Sequence, residues 1–201
     1  MKLYNFDPSP NPLKIRIALA ELGVSYETKE IVLFKGEQRN PGFLNVNPHG
    51  KVPVLTDGEL TISESNAILS YLGEEYGGEL WPNSPRGQAM ALQWLFFESS
   101  QVAHCFGTVW FNKFGMPKLG RKPSPDEDIE DSLDSAKWAL DQLEKQFEKT
   151  QFILGDKYTL VDSSIGTQTT TLHQTLLKDN IRWPKTFAYK ESFLQRPSWE
   201  Q

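Results

Sequence analysis

The chain reads as an α/β unit followed by an all-α helical bundle, and three observations carry that reading. Short strand patterns alternate with helical ones through residues 1–78. Strand signals then vanish, and residues 86–201 carry only long helical periodicity. Between them, residues 79–85 hold Pro82 and Pro85 in a polar stretch that suits a linker. With 201 residues the chain can bury a sizeable core in one domain or two.

Residues 2–6 form the first predicted strand. Pro8, Pro10 and Pro12 make a rigid entry to a helix, because proline is tolerated in a first turn where its missing N–H has no use. From Leu13 the apolar residues Ile15, Ile17, Ala18, Leu19 and Leu22 predict a helix that stops at Gly23. Residues 25–33 have strand character, and 41–45 suit a helical turn. Residues 52–56 and 59–62, joined by Asp57-Gly58, predict a hairpin. A helix over 64–76 is halted by Gly77-Gly78. The order is βαβαββα, which suggests a compact unit of mixed sheet. Beyond the linker, 87–112 predicts one long helix, with Leu92, Leu95, Val102 and Phe106 in register. Residues 125–149 predict a second, capped by Ser124 and acidic in its first turn. Thr159 and Asp162 form a capping-box pattern that opens a third. A shorter helix runs from Trp183-Pro184 to Arg196-Pro197.

A net charge of −5 argues against an electrostatic nucleic-acid binder. Lys118, Arg121 and Lys122 are the one basic cluster, and it reads as a solvated loop. No apolar run is long enough for a signal peptide or a membrane helix. The single cysteine, Cys105, permits no intrachain disulfide and suits a reducing compartment. The expected location is cytoplasmic. His49, His104 and His173 lack metal-ligand spacing, so no metal site is expected.

The chemistry concentrates in two stretches, Asn47 to Leu55 and Glu64 to Ile68. Pro53 cannot donate to a strand ladder, so it belongs at an edge or a special site. A cis Val52–Pro53 bond would kink the chain there and turn the Val52 backbone outward, ready to pair with an extended peptide. Glu64 and Ser65 place a carboxylate and a hydroxyl at a helix start, where free N–H groups favour an anion. Together they describe a pocket for a small peptide with a carboxylate end.

With these stretches placed, the chain resembles the cytosolic glutathione transferases over essentially its whole length, in particular their bacterial, theta- and phi-like serine-type members. The match is carried by Ser9-Pro10-Asn11 running into Lys14 to Leu19, by Gly36 to Arg39, by Asn47 to Leu55 and by Glu64 to Ile68, with the Thr159/Asp162 box as a weaker fifth. The resemblance implies a thioredoxin-like first domain and a helical substrate-binding second domain. It also implies glutathione as co-substrate, no metal, a homodimer and a role in detoxification. Family members often continue for another helix beyond the point where this chain stops, and a residue from that segment could close the substrate pocket.

The resemblance also assigns roles. A free thiol near pKa 8.5 must fall by about two units, which takes roughly 2.7 kcal/mol of preference for the thiolate. Ser9 would donate its hydroxyl to that thiolate, and Asn11 could donate through its amide instead. Tyr4, within the first strand, is expected to pack. Val52, before Pro53, would pair its backbone with the cysteinyl unit. Glu64 and Ser65 would hold the γ-glutamyl group. Gln38 and Arg39, or Lys51, would reach the glycyl carboxylate; the family often has a histidine-lysine pair where this chain has Gln38-Arg39, so the contact there is open. Phe97, Gln101, His104 and Trp110 are candidates for the electrophile pocket. Cys105 is expected to be a buried small hydrophobe, and His104 and Cys105, one apart on a helix, cannot form a dyad. Ser9 to Pro12 offers no thiol where redox relatives have one.

The function expected is conjugation of glutathione to a small, hydrophobic electrophile. A glutathione-dependent disulfide or peroxide reductase and a non-catalytic transferase-like interaction module are the alternatives.

Overall fold

The computed structural model describes residues 1–172 and 175–200. The first half holds β1 (Lys2–Asn5), α1 (Pro10–Leu22), β2 (Glu27–Glu30), α2 (Pro41–Leu44), β3 (Val54–Asp57), β4 (Leu60–Ser63) and α3 (Ser65–Tyr76). The strands form one mixed sheet in the order β2-β1-β3-β4, with β1 parallel to β2 and antiparallel to β3. This is a thioredoxin-like unit.

Buried Leu3 pairs with buried Leu55 at the centre of the sheet. The edge strand β2 is exposed throughout, and its charges Glu27, Lys29 and Glu30 discourage pairing with another chain. The strand expected over 25–33 keeps only its middle. The hairpin is shifted from expectation as well. Asp57 pairs with Leu60, so the turn is Gly58-Glu59, and Gly58 takes the positive φ of 57° that this turn needs. Helix α1 starts at Pro10 rather than Leu13, with Ser9 at its N-cap. It ends on Gly23 at φ 64°, where the Val24 N–H reaches back to the Leu19 carbonyl at 3.0 Å.

The linker is not loose. Trp81 is buried against Gly73, where a Cβ would lie 2.3 Å from the indole, and its Nε1 donates to Glu74 at 2.7 Å. Ser84 then caps α4 (Pro85–Phe97) by accepting the Gly87 N–H at 3.1 Å.

The single helix expected over 87–112 is interrupted twice. Five-residue π turns at Glu98–Val102 and Phe111–Gly115 flank α5 (Ala103–Trp110), and α6 (Met116–Lys118) follows. Each inserts one residue into the α pattern, turning the following face by about 100°. Helix α7 (Asp126–Phe147) begins after Pro125; Ser124 is not its cap, since its N–H donates to Asn112 Oδ1 at 2.7 Å. Helix α8 (Leu160–Thr171) opens with the expected box, the Thr159 N–H meeting Asp162 Oδ2 at 2.9 Å. Helix α9 (Pro184–Leu194) and a terminal 3-10 turn complete the bundle.

Helices α1 and α8 pack together across the two halves. The apolar core is continuous through that contact, from Leu3, Ile15 and Ile68 to Leu95, Phe106 and Ile165. Among the described residues no helix is long and apolar enough to cross a membrane.

Candidate active site

A cleft of about 400 Å3 opens between the two halves. Its floor is the loop that enters α1, with Phe6, Pro8, Ser9 and Pro10. One wall is the 3-10 turn Glu37–Arg39, which contributes Gln38 and Arg39. The facing wall comes from the helical half, as Trp110, Phe111, Leu119 and Arg121.

Ser9 occupies the N-cap of α1 with extended backbone, yet its side chain makes no capping bond. Among the described residues its hydroxyl has no hydrogen-bond partner. Pro12, the third helical residue, lacks the N–H that an N-cap hydroxyl would otherwise take. The hydroxyl is thus available to a group in the cleft, beside the positive end of a 13-residue helix.

The Val52–Pro53 bond is cis. The β3 ladder starts only at Val54, and among the described residues neither backbone group of Val52 is hydrogen-bonded. Glu64 precedes α3 with φ 69° and ψ 114°, the one non-glycine residue at positive φ among those described. Such a conformation costs about 1–3 kcal/mol and persists where the surroundings enforce it. Nothing in the sequence marked it. Glu64 and Ser65 line a second groove of about 500 Å3 with Asn66, Leu92, Leu95 and Phe96.

A buried polar network joins the starts of α1 and α3. Lys14 of α1 lies 2.9 Å from Glu98, and both side chains are essentially inaccessible. Lys14 also donates to Asn66 Oδ1 at 3.2 Å, and Asn66 donates to Glu98 Oε2 at 2.6 Å. Ser164 and Gln168 of α8 complete it: Ser164 meets Asn66 at 3.1 Å, and Gln168 donates to Glu98 at 2.7 Å and to Asn11 Oδ1 at 3.2 Å. Burial pulls the Lys14 pKa below its ordinary value, and the adjacent Glu98 charge opposes that fall. Sequence reasoning missed Lys14, Glu98 and Gln168. The available signal was a lysine between Leu13 and Ile15 on a helix whose other inward positions are apolar.

The cleft therefore unites Ser9, Gln38, Arg39 and Trp110 of the expected residues. Asn11 lies behind it, tied to Gln168. Lys51 is exposed and outside the cleft lining. Phe97, Gln101 and His104 do not line it. Phe97 packs on Trp94 and Trp138, Gln101 lines a separate hollow beside Asp134, and His104 faces solvent. The π turns explain part of the misplacement, since residues after Phe97 are rotated from the face that a straight helix predicts. Cys105 is buried with its thiol pushed up to about 11 by burial, the state of an inert packed thiol. Tyr4 packs on Phe43 with ring centroids 5.7 Å apart. The His49 N–H donates to Asn47 within its turn, and His173 lies outside the described residues. Among the described residues no group of three or more potential metal ligands occurs.

A thioredoxin-like unit with a cis-proline strand, a free hydroxyl at the first helix and a helical second half defines a glutathione-binding class of protein. Residues 1–74 match the family profile described as the N-terminal domain of glutathione S-transferase. Glutathione S-transferase F13 of Arabidopsis thaliana is 30% identical over 207 residues, covering 99% of this chain and 93% of the relative. Glutathione transferase F7 of Populus trichocarpa superimposes with a TM-score of 0.89 at 27% identity, covering 99% of this chain and 95% of that one. Glutathione transferase URE2P6 of Phanerochaete chrysosporium, solved in complex with oxidized glutathione, gives 0.87 at 29% identity over 99% and 92%. The chain belongs to the glutathione S-transferase family.

Proposed function

We propose that the protein is a glutathione transferase that holds the thiolate of glutathione at the N-terminus of α1 and adds it to a small electrophile in the cleft. The observation that carries this reading is the unpartnered Ser9 hydroxyl at the helix N-cap, facing a cleft with Arg39 on one wall and Trp110 and Phe111 on the other. Residues 1–78 are the glutathione-binding domain, 79–85 the linker and 86–201 the substrate domain. Ser9 donates to the thiolate, with Asn11 as the other candidate donor. The Val52 backbone, fixed next to Pro53, pairs with the cysteinyl unit. Glu64 and Ser65 take the γ-glutamyl end, and Gln38 and Arg39, or Lys51, the glycyl carboxylate. Catalysis is proximity plus stabilisation of the anion, with the sulfur attacking carbon as the leaving group departs.

The serine-type subclass follows from Ser9. A cytoplasmic location agrees with the lone buried cysteine. A homodimer is favoured by the exposed apolar face between α3 and α4, where Phe96 is 69% exposed and Leu92 stands open in the same groove.

The test is the ultraviolet absorbance of the bound thiolate across pH for wild type, Ser9→Ala and Asn11→Ala. A bound thiol pKa about two units below free glutathione, lost in Ser9→Ala, is the expected result. Loss only in Asn11→Ala moves the role to the amide. Absence of thiolate at any pH where the protein stays folded overturns the catalytic reading.

A further inference from the structure

The cleft is positively charged in a chain that is not. Its lining includes two guanidinium groups, Arg39 and Arg121, and no carboxylate, whereas the whole chain carries a net −5. Among the described residues neither arginine is in an ion pair, while Arg16, Arg182 and Arg196 each meet an acid. The two stand on opposite walls, one on the 3-10 turn of the first half and one on the loop after α6. If Arg39 serves the glycyl carboxylate of glutathione, Arg121 is left without an anion.

The Arg121 side chain is exposed at the cleft rim, and its backbone is held in place. Its N–H donates to the Met116 carbonyl at 3.0 Å, and Gly120 before it takes φ 63° to close α6. Three residues on, the Ser124 N–H is held by buried Asn112 at 2.7 Å, and Asn112 is itself anchored to the Thr108 carbonyl at 3.0 Å. A loop pinned at both ends keeps its one cleft-facing cation at the rim of an aromatic wall. The basic cluster Lys118, Arg121 and Lys122 is solvated as the sequence reading expects, and Arg121 lines the cleft as well.

We propose that Arg121 recognises a carboxylate on the second substrate, so that anionic aromatic electrophiles are preferred over neutral ones. The inference rests on the glutathione-conjugation reading above. The probe pair is 4-chloro-3,5-dinitrobenzoate and its neutral isostere 4-chloro-3,5-dinitrobenzamide. In both, the thiolate sulfur bonds to the ring carbon that bears chlorine, the C–Cl bond breaks, and chloride leaves with the electron pair.

The expected result is a kcat/KM ratio of benzoate to benzamide, corrected for the uncatalysed rates, that falls about fivefold in Arg121→Gln, the size of a partly exposed ion pair. Arg121→Lys should retain part of the preference, and raised salt should erode it in the wild type. The affinities of the two finished glutathione conjugates, measured by calorimetry, give the same ratio without turnover. A wild-type ratio that Arg121→Gln leaves in place, in turnover and in conjugate binding, overturns the role of Arg121. Conjugates that bind with the expected ratio while neither electrophile is turned over would instead refute conjugation and leave Arg121 intact. Glutathione disulfide is the third arm: its affinity falling in Arg121→Gln while the benzoate ratio does not move assigns the anion to a second glutathione and overturns the aromatic acid.

Discussion

Replacing Lys14 with methionine removes one charge from a pair that water does not reach. Lys14 and Glu98 sit 2.9 Å apart with side-chain exposures of 0% and 1%, and α1, α3, α4 and α8 all converge on them. In Lys14→Met the Glu98 carboxylate keeps only its bonds from Asn66 at 2.6 Å and Gln168 at 2.7 Å. Breaking a buried pair from one side costs about 3–5 kcal/mol, because the other charge is stranded. For a chain of this length that is a Tm loss of about 10 °C. Lys14→Met/Glu98→Gln removes both charges. Gln168 has an unpartnered buried Oε1 that can accept from the new amide, so the double variant should regain most of the loss. Urea denaturation of wild type, Lys14→Met, Glu98→Gln and the double variant measures the coupling. A Lys14→Met variant within about 1 kcal/mol of wild type, or a double variant no more stable than Lys14→Met, would refute the reasoning.

How much of this was legible in sequence depends on the range of the interaction. The sheet and α1 could be read because Pro10, Gly23 and the apolar spacing act locally. Ser9 and Arg39 came from the family resemblance, and both line the cleft. Trp110 lines it as well, whereas Phe97, Gln101 and His104 do not. The π turn at Glu98–Val102 rotates Gln101 and His104 from the face a straight helix predicts, and no residue preference announces an i to i+5 bond. Arg121 was rightly read as solvated, but its place on the cleft rim depends on a loop held by Asn112, 12 residues from Ser124 in sequence, which no local pattern shows. The Lys14–Glu98 pair spans two helices of different domains, so periodicity could flag Lys14 as misplaced without naming its counter-ion.

Asp162 is fully buried, and burial pushes its carboxyl up to about 6 despite donors from Ile153, Thr159 and Tyr189. Because the folded value lies above the unfolded one, its contribution to stability is complete in acid and declines as pH rises, by about 2 kcal/mol between pH 4 and 7; the wild-type minus Asp162→Asn difference in urea stability should show that slope, and a flat difference would contradict it. Phe96→Asp places a charge on the exposed α4 face, so if the proposed homodimer uses that face, sedimentation should show a dimeric wild type and a folded monomeric variant; a variant that stays dimeric would place the interface elsewhere. At Glu64 the backbone and the carboxylate make separable predictions. Glycine adopts φ 69° freely, so Glu64→Gly relieves about 1–3 kcal/mol of strain and gives back part of it through the freer unfolded chain, for a net gain of about 1 kcal/mol. Glu64→Ala keeps the strain. Both variants lose the carboxylate proposed to hold the γ-glutamyl group, so both should raise KM for glutathione about tenfold, the cost of about 1.4 kcal/mol of lost binding. A Glu64→Gly protein no more stable than Glu64→Ala would mean that the positive φ carries no strain, and the carboxylate would then be the only reason for glutamate at this position.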